Sequence, residues 1–287
     1  MQWSSERGSL FSGFRWKALR APHLSEWRRI GFDNFTEMKD KIALITGAGS
    51  GIGEQAAIEF CARGATIAVC DIDGVAAERV ARQIVRSGGR AHAYRADVSS
   101  ESDVSAMMQA IVEHLGGLDF AFNNAGVIGP IGTPLHELTE EQWRRVIDVD
   151  LTSVWLCMKH QIPAMLARGS GSIVNNSSIV GLRAATFTPA YGAAKHGVVG
   201  LTRAAASFYA KNGIRVNAIC PGIVDTPMSA SIDASPGKLS TARVDRTPML
   251  RSAQAVEVAR VAVWLCSDDA SYITGAALPV DGGNSVV

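Results

Sequence analysis

At 287 residues and a formal net charge of +1, the chain lacks the basic excess that nucleic-acid binding calls for, and 47% hydrophobic residues suffice for a large core. No apolar run reaches the length of a membrane span, which argues against a membrane protein. Cys61, Cys70, Cys157, Cys220 and Cys266 are odd in number and far apart, and no His or Cys group has ligand spacing, so reduced thiols, a cytoplasmic location and no metal are expected.

Residues 1–37 differ from the rest, with Trp3, Trp16 and Trp27 and a basic start in Arg7, Arg15, Lys17 and Arg20. They read as a poorly ordered extension dispensable for chemistry, either transit-like or translated from an upstream start, because Met38 opens directly into the first strand. Residues 38–287 read as one domain. Its first strand, Ile42–Thr46, runs into Gly47-Ala-Gly-Ser50-Gly51-Ile52-Gly53 and then a helical pattern. Glycines between a strand and a helix let the backbone turn tightly and approach a pyrophosphate, whose charge rests on the helix N-terminus. The second strand, Thr66–Cys70, ends at Asp71, where a carboxylate reads ribose hydroxyls and repels a 2′-phosphate; no Arg or Lys adjoins it, so NAD is expected over NADP.

Further strands are predicted at Ala91–Arg95, Leu118–Asn123, Ser172–Ser177, Arg215–Cys220 and Ala277–Val280, separated by helical segments. This alternation predicts an α/β fold, a Rossmann-type doubly wound, mainly parallel seven-stranded sheet with helices on both faces. After the fifth strand come Ser178 and then Tyr191-Gly-Ala-Ala-Lys195. Residues four apart share a helix face, so Lys195 stands beside Tyr191, and its charge favours the phenolate and brings a phenol toward general acid/base work. The stretch 228–248, with Ser229, Ser231, Ser235, Pro236, Gly237 and Ser240, reads as a substrate loop or lid.

With the glycine loop, Asp71, Asn123-Asn-Ala-Gly126, Ser178, Tyr191 and Lys195 in this order, the chain resembles the single-domain branch of the short-chain dehydrogenase/reductase family from about Lys39 to Gly283. Asp97-Val98, Arg215-Val-Asn217, Pro221-Gly222 and Val280-Asp-Gly-Gly283 extend the match. The resemblance implies that Gly47, Ser50, Gly51, Ile52 and Gly53 form the pyrophosphate turn, with Asp97 and Val98 beside the adenine. It puts Asn123 and Gly126 along the cofactor, Val224 and Thr226 on the carboxamide, and Lys195 on the nicotinamide ribose. Asn123 and Asn217 could instead serve neighbouring backbone groups. The family usually carries an Asn where this chain has Asp150; that Asn supports a water chain to the lysine, and Asp150 is expected to pair with Lys195 indirectly. A homotetramer or homodimer is implied, built partly from helices after Thr139 and Pro189.

The expected reaction is hydride transfer between NAD(H) and a secondary alcohol or ketone, with Tyr191 as acid/base and Ser178 orienting the oxygen. Val180, Leu182, Phe187 and Ile223 are expected to form a mostly apolar substrate wall with Arg183 the one nearby cation, suiting a small or medium hydrophobic or cyclic substrate. The alternatives are a 3-oxoacyl-[acyl-carrier-protein] reductase using Arg168 and Lys211 on an acidic carrier, and a catalytically idle NAD-binding sensor or scaffold.

Overall fold

The structure, a computed structural model, describes residues 38–233, 244 and 246–287; the extension 1–37 and most of the expected lid lie outside the described residues. Seven strands form one parallel sheet: β1 (Ile42–Thr46), β2 (Thr66–Asp71), β3 (Arg90–Arg95), β4 (Phe120–Asn123), β5 (Gly171–Asn176), β6 (Ile214–Pro221) and β7 (Ala277–Val280), in the order β3-β2-β1-β4-β5-β6-β7. The strands begin or end within two residues of the predicted limits. The central strand β1 is buried at every position, as a strand covered on both faces requires.

Helices α1 (Gly51–Ala62), α2 (Gly74–Arg86), α3 (Glu101–Leu115), α4 (Glu140–Ile147), α5 (Ser153–Arg168), α6 (Pro189–Tyr209) and α7 (Ala255–Cys266) connect them. One core packs α1, α2 and α7 on one face through Phe60, Val80 and Val263; the other packs α3, α5 and α6 through Ile111, Met165 and Val198. Side chains supply the caps: Asp73 accepts from the N–H groups of Val75 and Ala76 at the start of α2, Ser100 caps α3, and Thr139 with Gln142 forms a capping box on α4. Arg215 has a structural role: it donates to the carbonyls of Leu265, Cys266 and Ser267, closing the C-terminal end of α7. Asn217 bonds the backbone of Ile273 and Ala276.

The predicted long helix after Thr139 is interrupted by a π turn, Asp148–Thr152, that separates α4 from α5. The expected irregular stretch from residue 228 begins inside a short helix, Pro227–Asp233. The strand order reverses between β1 and β4, with β2 and β3 added on one side and β4 onward on the other, and such a switch point opens a crevice at the C-terminal ends of the strands. Among the described residues no helix is long and apolar enough to cross a membrane, and no group of His, Cys, Asp or Glu is arranged to hold a metal ion.

Candidate active site

A cavity of about 820 Å³ occupies that crevice. Its floor is the turn after β1. Gly47 and Gly51 adopt the left-handed region, with φ of 61° and 56°, and both line the cavity with Ser50 and Ile52. Ser50 stands at the N-cap of α1 without a side-chain bond to the helix, so its hydroxyl is available to a ligand. Gly53 does not line the cavity: a Cβ there would fall 2.1 Å from the Gly47 carbonyl oxygen, so this glycine serves close packing of helix against turn.

Asp71, at the end of β2, borders the cavity, where its Oδ2 accepts the Gly49 N–H at 2.8 Å and its Oδ1 the Asp73 N–H at 3.0 Å. Arg79 braces the same loop from α2, donating to the Gly49 carbonyl and to both carboxylate oxygens of Glu54. Nothing in the local pattern distinguishes this arginine from other exposed cations of α2. Asp97 and Val98 line the cavity after β3, with Asp97 Oδ1 accepting from Ser99.

At the end of β4 it is Asn124, and not the expected Asn123, that borders the cavity. Asn123 points into the core, where it exchanges hydrogen bonds with Gln161 and donates to Asn175, whereas Asn124 lines the cavity and donates to the Thr46 and Gly47 carbonyls. Successive strand residues face opposite sides, so the last side chain of β4 turns inward and the next one turns to the crevice. Asn176 Nδ2 donates to Asn124 Oδ1 from β5, tying the two strand ends together. Gly126 lines the cavity beyond Asn124.

Ser178, Tyr191, Lys195 and Asp150 border the same cavity. Ser178 follows β5 in extended backbone and accepts the Val180 N–H at 3.3 Å, while the Ser177 hydroxyl donates to the Lys195 carbonyl and fixes α6 against the strand end. Lys195 Nζ lies 5.3 Å from the centre of the Tyr191 ring and donates to the Asn176 carbonyl at 3.0 Å. The pairing with Asp150 is direct, contrary to the expected indirect one: Nζ stands 3.2 Å from Asp150 Oδ1, with both side chains buried. Burial disfavours the Lys195 ammonium, but the Asp150 carboxylate and the Tyr191 phenol outweigh it and hold the group above the usual lysine range. Burial also pushes the Asp150 carboxyl up, against the pull of Lys195.

Val180, Phe187 and Ile223 line the cavity, and Val224 and Thr226 do so beside them, but Leu182 faces away and is exposed. The wall is less apolar than expected, for Arg145 and Arg246 join Arg183 in lining it. Arg183 donates to the carbonyl and side-chain oxygens of Asn284, near the C-terminus. Arg168 and Lys211 are absent from this lining; Arg168 pairs with Asp119 at the opposite end of β4, and Lys211 lies over the Phe208 ring. The cavity suits an extended dinucleotide, with a tight glycine turn at a helix N-terminus, a carboxylate at one end and a tyrosine–lysine pair at the other.

Comparison with known proteins agrees. The family model described as Enoyl-(Acyl carrier protein) reductase matches residues 47–285. Over 246 residues the chain is 44% identical to cyclohexanol dehydrogenase of Acinetobacter sp. (strain SE19), covering 86% of this chain and 95% of that protein. It is 44% identical over 248 residues to cis-4-hydroxycyclohexanecarboxylate dehydrogenase of Sinomonas cyclohexanicum, covering 86% and 98%. The crystal structure of levodione reductase superposes with a TM-score of 0.83 at 36% identity, covering 87% of this chain and 99% of that one. Solved relatives at 36% and 35% identity carry NADH in one case and NADP in another. The chain belongs to the short-chain dehydrogenase/reductase family, as an oxidoreductase that moves hydride between NAD(P) and a secondary alcohol or ketone.

Proposed function

We propose that the protein is an NAD-dependent dehydrogenase of small to medium cyclic secondary alcohols, acting reversibly on the corresponding ketones. The observation that carries this reading is one cavity shared by the glycine turn, Asp71, Ser178, Tyr191 and Lys195. Relatives named for cyclohexanol and for a hydroxycyclohexane carboxylate support a cyclic substrate, as do Val180, Phe187 and Ile223 in the wall.

Gly47, Ser50, Gly51 and the N-terminus of α1 would hold the pyrophosphate, Asp71 the adenosine ribose, and Val224 with Thr226 the carboxamide end. A bound nicotinamide supplies the hydride acceptor for oxidation and the hydride donor for reduction. Tyr191 removes the alcohol proton in oxidation and returns it to the carbonyl oxygen in reduction. Ser178 donates its hydroxyl hydrogen to that oxygen and stabilises the charge that develops there. Lys195 keeps a positive charge beside the phenol and spares a donor for the cofactor ribose.

Cyclohexanol, cis-4-hydroxycyclohexanecarboxylate and a panel of linear alcohols, each assayed with NAD and NADP, test the assignment. Tyr191→Phe should lose about 10²- to 10⁴-fold in kcat, the scale of general acid/base catalysis, while NADH still binds by fluorescence. Near-normal turnover in that variant would refute the role of Tyr191. Binding of NADH by the unaltered protein with no turnover across the panel would instead favour the sensor reading.

A further inference from the structure

The charge beside Tyr191 is not a lone ammonium. Asp150 Oδ1 lies 3.2 Å from Lys195 Nζ, and the same oxygen accepts the Val127 N–H at 3.2 Å, so the carboxylate is anchored from two sides. Gly126 makes room for it: a Cβ there would fall 2.4 Å from Asp150 Oδ1. The π turn Asp148–Thr152 carries Asp150 into this position, and π turns are frequent at functional sites. Oδ2 is buried and has no hydrogen-bond partner among the described residues, so the carboxylate's charge is met chiefly by Lys195.

An uncompensated cation within about 4–6 Å shifts a neighbouring acid by ~1–3 pH units. A carboxylate in contact with that cation turns it into a pair, and the field of a pair falls off faster than that of a single charge. Burial leaves little solvent or salt to screen either partner. We infer that Asp150 is a positioning residue that aims and neutralises the Lys195 ammonium, raising the pH at which Tyr191 takes the alcohol proton. The inference rests on Tyr191 being the base.

Other groups facing the pair are few. On α6 there is the exposed His196, its Nδ1 2.9 Å from the Gly192 carbonyl oxygen. From β6 comes Cys220, whose thiol burial pushes up to about 11. Arg145 on α4 and the exposed Asp148 border the cavity, and Arg183 is tied to Asn284. Among the described residues Asp150 alone forms a salt bridge with Lys195 Nζ, and Cys220 adds a smaller electrostatic contribution than Asp150.

Asp150→Asn keeps the shape and the acceptor for Val127 while removing the negative charge. The test titrates the phenolate by ultraviolet difference absorbance in the full-length protein, its Asp150→Asn variant and the Tyr191→Phe blank, alongside kcat/KM for cyclohexanol against pH. In Asp150→Asn both the phenolate midpoint and the rising limb of alcohol oxidation should move down by about one pH unit. Below the original midpoint, kcat/KM should therefore rise by up to ~10-fold, with the KM for NAD little changed. A thermal melt checks folding, and Asp150→Ser serves as the second charge-free variant, with the same downward shift expected. An unmoved or raised midpoint, with Tyr191→Phe inactive, overturns the inference alone. Turnover surviving in Tyr191→Phe overturns the base assignment and this inference with it.

Discussion

In the function proposed above, cofactor choice turns on Asp71. Its carboxylate already accepts two backbone N–H groups, yet a carboxylate offers about four acceptor sites, so it can also take ribose hydroxyls. A 2′-phosphate would meet its negative charge. The counterweight is Arg95, the cross-strand neighbour of Asp71 on β3, which could meet that phosphate once the carboxylate is gone. Asp71→Ala should therefore reduce the preference for NAD over NADP, measured as the ratio of kcat/KM values, by about 10- to 100-fold, the scale of one or two charge-assisted hydrogen bonds. An unchanged ratio would remove Asp71 from cofactor selection. Asp71 was legible because it ends an apolar run after a glycine turn. Asn124 was not, because its identity with Asn123 leaves only a one-residue change of side to separate a core residue from a cavity residue.

Among the elements, the sheet was readable and the joint between α4 and α5 was not. Apolar runs of strand length alternating with helical patterns dictate a parallel sheet, and the strands follow them closely. A π turn adds a single residue to a helical repeat, a displacement too small to register in hydrophobic periodicity, yet it delivers Asp150 to Lys195. Helix ends carry clearer chemistry. At the start of α7, Glu257 accepts the Gln254 N–H at 2.8 Å and pairs with both terminal nitrogens of Arg251 at 2.7 Å. The Arg251 hydrogen bonds, then that backbone N–H, hold its carboxyl down at about 2. Because the folded-state value is depressed, the stabilisation is present above the ordinary glutamate range and is lost as pH falls through about 2. Glu257→Gln should lower Tm near neutral pH, with the gap to the unaltered protein closing as the solution is acidified. The group is exposed, so added salt should shrink the gap as well. Thermal melts across pH measure this, and a gap independent of pH would dismiss the charge as its source.

At the scale of the whole molecule, two exposed aromatic side chains bear on assembly. Trp155 on α5 and Phe208 on α6 are 47% and 66% exposed, and a homotetramer or homodimer built on these helices would bury them. Sedimentation of the purified protein decides between those assemblies and a monomer. The first 37 residues raise a separate question. Met38 is 1% exposed and donates its N–H to the Arg63 carbonyl at 2.7 Å, which ties it to the end of α1. Levodione reductase, with 99% of its chain matched by 87% of this one, achieves the same fold without a comparable remainder. Every side chain assigned here to the cofactor or the reaction lies between Gly47 and Thr226. A chain starting at Met38 should therefore keep kcat, the KM for NAD and Tm, the last within about 2 °C. Loss of activity with Tm intact would give the extension a place at the active site. A fall in the sedimentation coefficient beyond that expected from the lost mass would give it one in the assembly, where Trp3, Trp16 and Trp27 could dock on a neighbouring subunit.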